Sequence, residues 1–161
     1  MALKKRIDPI AQLMQEHDEA LLKLSSLRKA SQSIAERGFT EEAFDDVLSA
    51  LEFIEEEVSV HNKSEEDALF PVLERYVEGP TKLMRQEHKE MKKEFRKLRS
   101  VVIKVGKNRG DRDADRELQD TSRVIIQRFV NHIHKENHIL FPLVQKFLTK
   151  DALREVARRM L

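Results

Sequence analysis

The chain has 161 residues, enough for one domain with a buried core, and 37% of them are charged against 40% hydrophobic. The formal net charge of +1 gives no overall attraction to nucleic acid or acidic lipid, so neither partner is predicted. The absence of cysteine excludes disulfides, thiolate-held metals and cysteine nucleophiles, so a metal would need histidine and carboxylate ligands. The basic residues 1–6 precede no apolar signal core and no stretch approaches a membrane span, so we predict a soluble cytoplasmic protein.

Capping residues and apolar periodicity divide the chain into four long helices and one short one. Asp8, Thr40 and Thr149 are predicted N-caps, and Gly38 is predicted to end the first helix. The predicted helices are, approximately, residues 9–37, 41–77, 81–106, 113–148 and 150–160. Short connections between long helices favour antiparallel neighbours. We therefore predict an all-α, up-down-up-down four-helix bundle with a short C-terminal helix, forming a single domain over residues 1–161.

One segment of the sequence occurs twice, 71 residues apart. Residues 61–71, HNKSEEDALFP, recur as residues 132–142, HIHKENHILFP, and Gln15-Glu16-His17 recurs as Gln86-Glu87-His88. The chain is thus two copies of one unit, about residues 8–78 and 80–148. Both copies have one lone histidine and one His-x-x-x-Glu pair, which indicates a metal site between the halves.

The four histidines and two glutamates interrupt the apolar stripes by which the helices would pack together. Residues four apart lie about 40° apart around a helix, so His61 and Glu65 share a face, as do His132 and Glu136. The apolar stripes are continued by other residues, among them Leu21, Tyr76, Leu143 and Phe147. Pro71 and Pro142, late in the second and fourth helices, are predicted to bend them just past the site. The predicted metal ligands are His17, His61, Glu65, His88, His132 and Glu136.

Energetic reasoning favours a pair of cations at these residues. An unpaired ionised carboxylate in an apolar interior costs several kcal/mol, and two that face each other repel. A pair of bound dications reverses this, because the carboxylates then neutralise the metal charge. Nitrogen and oxygen ligands of this kind suit iron, and also accept manganese or zinc.

Other polar residues near the repeat are not among the predicted ligands. His134 and His138 lie roughly 200° and 240° around the helix from His132, so we expect them at the surface, with ligation by His138 the alternative if the helix is distorted. Glu66 lies off the apolar stripe and has Asn137 at its repeat position, so it is not taken as a ligand. Glu16 and Glu87, next to the lone histidines, are equally compatible with orienting ligands or with solvation.

At these residues the chain resembles the hemerythrin-like family, also called HHE cation-binding domains, over roughly residues 8–148. The family pattern is a lone His, a His-x-x-x-Glu, a second lone His and a second His-x-x-x-Glu, here each pair being followed by Leu-Phe-Pro. The resemblance implies a four-helix bundle around a non-haem di-iron centre. The two glutamates would bridge the irons together with an oxo or hydroxo group.

The chain departs from the oxygen-carrying members of that family at two positions. Those members have a fifth histidine one turn after the second lone histidine, where this chain has Lys92. Their last carboxylate is an aspartate five residues after its histidine, whereas Glu136 comes four residues after His132. The chain is therefore similar to a subclass with four histidines and two glutamates.

The resemblance leaves more than one function open. The first is binding of a small diatomic ligand, O2 or NO, for sensing, storage or transfer. The alternative is a di-iron redox enzyme that acts on peroxide, nitric oxide or ferrous iron, so whether the chain is an enzyme stays open. A metal-free or zinc-bound interaction bundle is a third hypothesis. Ferritin-type oxidation is disfavoured, because that class uses Glu-x-x-His pairs and this chain has none.

Overall fold

The computed structural model describes residues 8–161; the basic residues 1–6, on which the prediction about a signal segment rested, lie outside them. Within the described residues, five helices follow one another, and two of them contain wider π-helical turns. They are α1 (Pro9–Arg37), α2 (residues 41–73), α3 (Thr81–Lys107), α4 (residues 112–147) and α5 (Lys150–Arg159). The π-helical turns are Ile54–Val58 and Glu65–Leu69 in α2, and Glu136–Leu140 in α4.

The helix ends confirm the predicted capping residues. The Asp8 carboxylate accepts hydrogen bonds from two backbone N–H groups of the first turn of α1. The hydroxyl groups of Thr40 and Thr149 accept in the same way at the starts of α2 and α5. Gly38 ends α1 with φ of 100°, a conformation that glycine adopts readily. Asp111 caps α4, which therefore starts one residue earlier than predicted.

The four long helices form an antiparallel bundle, as predicted from the short connections. α1 packs against α2 and α4, and α3 packs against α4 and α2, which closes the ring of four. The short helix α5 covers one end of this bundle, where it buries Ala152 and Val156. Among residues 8–161, no helix is long and apolar enough to cross a membrane. The cytoplasmic location stays a prediction.

The core consists of two apolar clusters with a buried polar layer between them. The larger cluster includes Leu24 of α1, and the smaller one includes Phe70, Phe141 and the buried face of α5. On α1, α2 and α3, the predicted metal residues lie between the segments that belong to the two clusters, and on α4 they lie where one cluster gives way to the other. In α1, Ala20 rather than the predicted Leu21 faces the core, and Leu21 is exposed.

The π-helical turns replace the bends predicted at the two prolines. Pro71 and Pro142 each occupy the second position of an α-helical stretch that follows a π-helical turn. The N–H group of Phe70 donates to the carbonyl of Glu65, five residues back, and the second copy repeats this arrangement. Proline in a regular helix lacks one N–H group and clashes with the carbonyl four residues back. The wider turn ahead of each proline lets both helices continue through it.

The extra residue in the wide turn of α4 rotates the stretch that follows, which explains why Leu143 and Phe147 were misassigned. Beyond the turn in α4, Val144 and Leu148 are buried, whereas the predicted Leu143 and Phe147 are half-buried. In the first copy, α2 ends at residue 73 rather than near 77. Tyr76, predicted to lie in the core, is 44% exposed in the turn that follows. The prediction for Tyr76 was wrong.

Candidate metal centre

All six predicted metal residues converge at the centre of the bundle. Each is at most 6% exposed, and both glutamates are fully buried. They form two overlapping groups whose nitrogen and oxygen atoms lie within 4.8 Å of one another. The first group is His17, His61, Glu65 and Glu136, and the second is His88, His132, Glu65 and Glu136. We call them the first and second clusters, as distinct from the two apolar clusters of the core, and the two glutamates belong to both.

Each long helix supplies one part of the centre. The lone histidines come from α1 and α3, and the His-x-x-x-Glu pairs come from α2 and α4. Each glutamate is the first residue of a π-helical turn, so the pair itself lies on regular helix and the widening begins after it. The one-turn spacing therefore keeps the imidazole and the carboxylate on the same face.

The imidazole rings point their Nε2 atoms inwards. The Nε2 atoms of His17 and His61 are 3.1 Å apart, and those of His88 and His132 are also 3.1 Å apart. Oxygen atoms of Glu136 lie 2.8 to 3.9 Å from the Nε2 atoms of all four histidines.

Glu65 completes the arrangement from the opposite helix. Its Oε1 atom lies 2.8 Å from Nε2 of His61 and 3.8 Å from Nε2 of His88. Both carboxylates therefore approach an imidazole of each half of the chain. This is the placement that two shared, bridging carboxylates would need.

The outer nitrogen of every ring has its own hydrogen-bond acceptor. The Nδ1 atom of His17 donates to Asn137, at 2.7 Å, and that of His88 donates to Glu66, at 2.9 Å. In the paired histidines, Nδ1 of His61 donates to Glu16 and Nδ1 of His132 donates to Glu87. A neutral imidazole that donates from Nδ1 presents a lone pair on Nε2, the state that binds metal.

These acceptors settle what the sequence left open for Glu16 and Glu87, and they give Glu66 and Asn137 a shared role. Glu16 and Glu87 orient imidazole rings, and the rings belong to the neighbouring helix rather than to the adjacent lone histidines. Glu66 and Asn137, which occupy the same repeat position, each accept a hydrogen bond from a lone histidine, Glu66 from His88 and Asn137 from His17. The sequence already indicated this shared role, since Glu66 directly follows Glu65 and Asn137 directly follows Glu136.

The phenylalanines of the repeated Leu-Phe-Pro segments cover the centre from one side. Phe141 stacks on His17, with ring centroids 5.5 Å apart, and Phe70 stacks on His88 at 6.0 Å. Each phenylalanine contacts the histidine of the other half. Stacking of this kind restricts ring rotation and keeps water away from the centre.

The electrostatics of the centre fit a cation. Burial and the neighbouring Glu136 raise the pKa of Glu65 well above its usual range. Burial also opposes ionisation of Glu136, but the neighbouring Glu65, His132 and His17 hold its pKa well below its usual range. Burial disfavours the charged form of His61 too, yet Glu65 and Glu136 raise its pKa well above the ordinary value.

Three carboxylate oxygens at the centre lack a hydrogen bond. Within residues 8–161, Glu65 Oε1, Glu65 Oε2 and Glu136 Oε2 are buried without a hydrogen-bond partner. Buried polar groups are almost always satisfied, and an unsatisfied one costs about 1–3 kcal/mol. Imidazole lone pairs 3.1 Å apart also repel each other unless a proton or a cation lies between them. Orphaned acceptors and converging lone pairs together suit bound cations.

The remaining histidines lie outside the centre. His134 and His138 are exposed, as expected, with ring centroids 4.3 Å apart, and neither belongs to the two clusters. Lys92, at the position of the fifth histidine of oxygen carriers, is also exposed. Distortion of α4 near Pro142 therefore does not bring His138 into the centre.

A comparison with known protein families agrees with this geometry. The hemerythrin HHE cation-binding domain matches residues 8–144, which include all six converging residues. The chain belongs to this family. Its members bind metal cations, and the paired His and Glu groups provide a site for them here.

Similar proteins include longer members with a named role. The iron-sulfur cluster repair protein YtfE of Yersinia pseudotuberculosis serotype IB (strain PB1/+) is 30% identical over 100 residues. The same identity over the same length holds for YtfE of Yersinia pestis (strain Pestoides F). Each match covers 60% of this chain and 45% of the relative. The matched part of the chain thus spans less than half the length of these relatives.

Proposed function

We propose that this chain is a non-haem di-iron protein. His17 and His61 would bind one iron, His88 and His132 would bind the other, and Glu65 and Glu136 would bridge the two. The observation that carries this proposal is the pair of buried carboxylates shared by two imidazole pairs, with three of their oxygens unpartnered among the described residues. Imidazole and carboxylate together suit iron, and manganese and zinc are the competing metals.

The proposed function is the binding of O2 or NO, for sensing, storage or transfer. A bound pair of irons would supply both coordination positions and redox chemistry to such a ligand. The chain contributes two imidazoles per iron and two shared carboxylates, and Lys92 replaces the additional histidine of oxygen carriers. The protein therefore leaves more coordination positions free than in that class. The buried and stacked rings hold the ligand atoms in place and limit access of bulk water.

The second candidate is a redox enzyme that acts on peroxide, nitric oxide or ferrous iron. One observation favours it, namely the similarity to YtfE proteins, which are named for iron-sulfur cluster repair. This role belongs to proteins more than twice as long as the shared segment. Repair activity in this chain is therefore a proposal that needs its own assay.

The test combines metal analysis with optical spectra taken before and after exposure of the reduced protein to O2 or NO. About two irons per chain and a new charge-transfer band after exposure would support a di-iron centre. A band that bleaches reversibly under vacuum favours ligand binding, whereas rapid consumption of added peroxide or NO favours the enzyme. Protein purified without chelators that contains one zinc, or no metal, would refute the di-iron proposal. Glu65→Ala is the control, and it should lose the two-metal centre.

A further inference from the structure

The surface has a depression over the paired histidine of each half. The first mouth is a narrow cavity of about 40 Å³ whose rim includes Glu16, Glu19 and Glu57, with His17 and His61 at its floor. The second mouth, of about 350 Å³, lies over His132 and is lined by Glu87, Glu90, Met91, Arg128, Asn131 and Lys135. The 71-residue repeat relates the two, because Glu16, Glu19 and His61 correspond to Glu87, Glu90 and His132.

The charges of the two mouths have diverged. Glu57 of the first mouth corresponds to Arg128 of the second, and Ser64 corresponds to Lys135. In the second mouth the ammonium group of Lys135 lies 2.6 Å from Glu87, and Arg128 pairs with Glu94. The described residues that line the first mouth include three glutamates and neither Lys nor Arg, whereas two glutamates face two cations in the second.

The floor of the first mouth leads directly to buried carboxylate oxygens that lack a hydrogen bond among the described residues. His17 and His61 are 2% and 6% exposed, and their Nε2 atoms converge at 3.1 Å on the inner side of the cavity. Behind them lies Glu65, 2.8 Å from His61, fully buried and without a hydrogen bond to any described residue. These buried groups, independently of the rim, identify a cation as the species that would pass through.

We propose that divalent metal ions reach the centre through the first mouth rather than the second. The inference rests on the proposed metal function of the six buried residues and adds the route by which they are loaded. A cleft lined by one sign of charge concentrates counter-ions and accelerates their association, by roughly 10- to 1,000-fold where several charges act together. The second mouth is wider, but Lys135 and Arg128 offset two of the carboxylates around it, so it attracts a dication less strongly.

The test measures how fast Co²⁺ binds to the chelator-treated 161-residue chain by stopped-flow absorption in the visible range. Glu57→Arg places the second-half residue in the first mouth, and it should slow association about tenfold at low ionic strength. Glu19→Gln should slow association about threefold, whereas its repeat counterpart Glu90→Gln should change it less than about twofold. Salt should reduce these differences, because the screening length falls to about 8 Å at 0.15 M and 3 Å at 1 M.

The amount of bound metal separates this inference from the proposed function. All three variants should finally bind as much Co²⁺ as the unmodified protein, since Glu19, Glu57 and Glu90 belong to neither cluster. Equal slowing by Glu19→Gln and Glu90→Gln, or no slowing by Glu57→Arg, would overturn the route while leaving the centre intact. Failure of the unmodified chain to bind Co²⁺ at any rate would instead refute the metal function, and the route with it.

Discussion

Replacing the two central glutamates one at a time should change the stability of metal-free protein in opposite directions. The repeat makes Glu65 and Glu136 counterparts, and both are fully buried. Neither oxygen of Glu65 has a hydrogen bond in the described structure, although Oε1 lies 2.8 Å from Nε2 of His61, and its pKa is raised. Glu136 lies within 4 Å of ring nitrogens from all four histidines, and its pKa is lowered. Leucine is close to glutamate in size and removes the carboxylate without leaving a large cavity.

The magnitude follows from the cost of an unsatisfied buried group. Removing the orphaned carboxyl of Glu65 should stabilise metal-free protein by about 2 kcal/mol, since each unsatisfied group costs about 1–3 kcal/mol. Removing Glu136 should destabilise it by a similar amount, roughly 2 kcal/mol, because the buried imidazoles lose their ionised partner. For a chain of this size, 1 kcal/mol corresponds to about 2–4 °C in melting temperature. The two variants should therefore differ by roughly 8–16 °C.

Thermal and urea unfolding of Glu65→Leu and Glu136→Leu, each with and without metal, provide the measurement. Unmodified protein should gain about 2.7 kcal/mol at a free metal concentration 100 times the dissociation constant. Neither variant should show this gain, because each lacks one of the two shared carboxylates. If Glu65→Leu destabilised metal-free protein as much as Glu136→Leu does, the electrostatic asymmetry described for the centre would be wrong.

Three further predictions concern the surroundings of the centre. His134→Ala should leave metal content unchanged, because this exposed ring lies outside both clusters; a loss on metal analysis would contradict the assignment. Glu66→Gln should weaken metal affinity by at most about 10- to 100-fold, because a carboxylate acceptor makes the His88 ring a stronger ligand. Asn137→Asp should strengthen metal affinity, because it gives His17 such an acceptor. Competition with a chelator measures both affinities. Metal-free protein should lose stability as pH rises from about 6.5, the pKa of His61 in the unfolded chain, up to the raised pKa of His61 in the folded chain. Within this range the folded state keeps a proton that the unfolded state has released. Urea midpoints that rise with pH over this range would contradict that sign.

The fold could be predicted because its determinants are local. Asp8, Thr40 and Thr149 have side chains that satisfy the N–H groups of the turn that follows them, and Gly38 tolerates the conformation that ends α1. These effects act within a few residues and can be read directly from the sequence. The antiparallel order followed from the short connections, since little chain is available to cross the bundle.

The stretches beyond the π-helical turns could not be predicted in the same way. The prediction of Leu143 and Phe147 as core residues assumed a constant rotation of 100° per residue along the helix. The prediction for Tyr76 assumed that α2 continued to about residue 77, whereas it ends at residue 73. One extra residue in the wide turn of α4 shifts the core-facing positions after it by one residue, so Val144 and Leu148 are buried in place of Leu143 and Phe147. Proline signals a disturbance, but it does not reveal whether the helix kinks, ends or widens.

The inner and outer residues of the centre differ in how far sequence can identify them. The six converging residues are polar in otherwise apolar stripes, and this contrast marked them. Glu16 and Glu66 lie at the edge of the helices, where charged residues are common, so only the packing shows which ring each one contacts. The sequence also did not predict that Phe70 and Phe141 stack on histidines of the opposite half.

The exchange of contacts between the halves makes the repeat one centre rather than two sites. The first cluster takes both of its histidines from the first half and one of its carboxylates, Glu136, from the second. The second cluster has the reverse arrangement, with Glu65 supplied by the first half. A half alone would have one imidazole pair and one carboxylate, too few ligands to hold two ions. A two-ion centre therefore needs the ligands of both halves together. The rims of the two mouths carry no ligands, so Glu57 and Arg128 can differ although they stand at equivalent positions of the repeat.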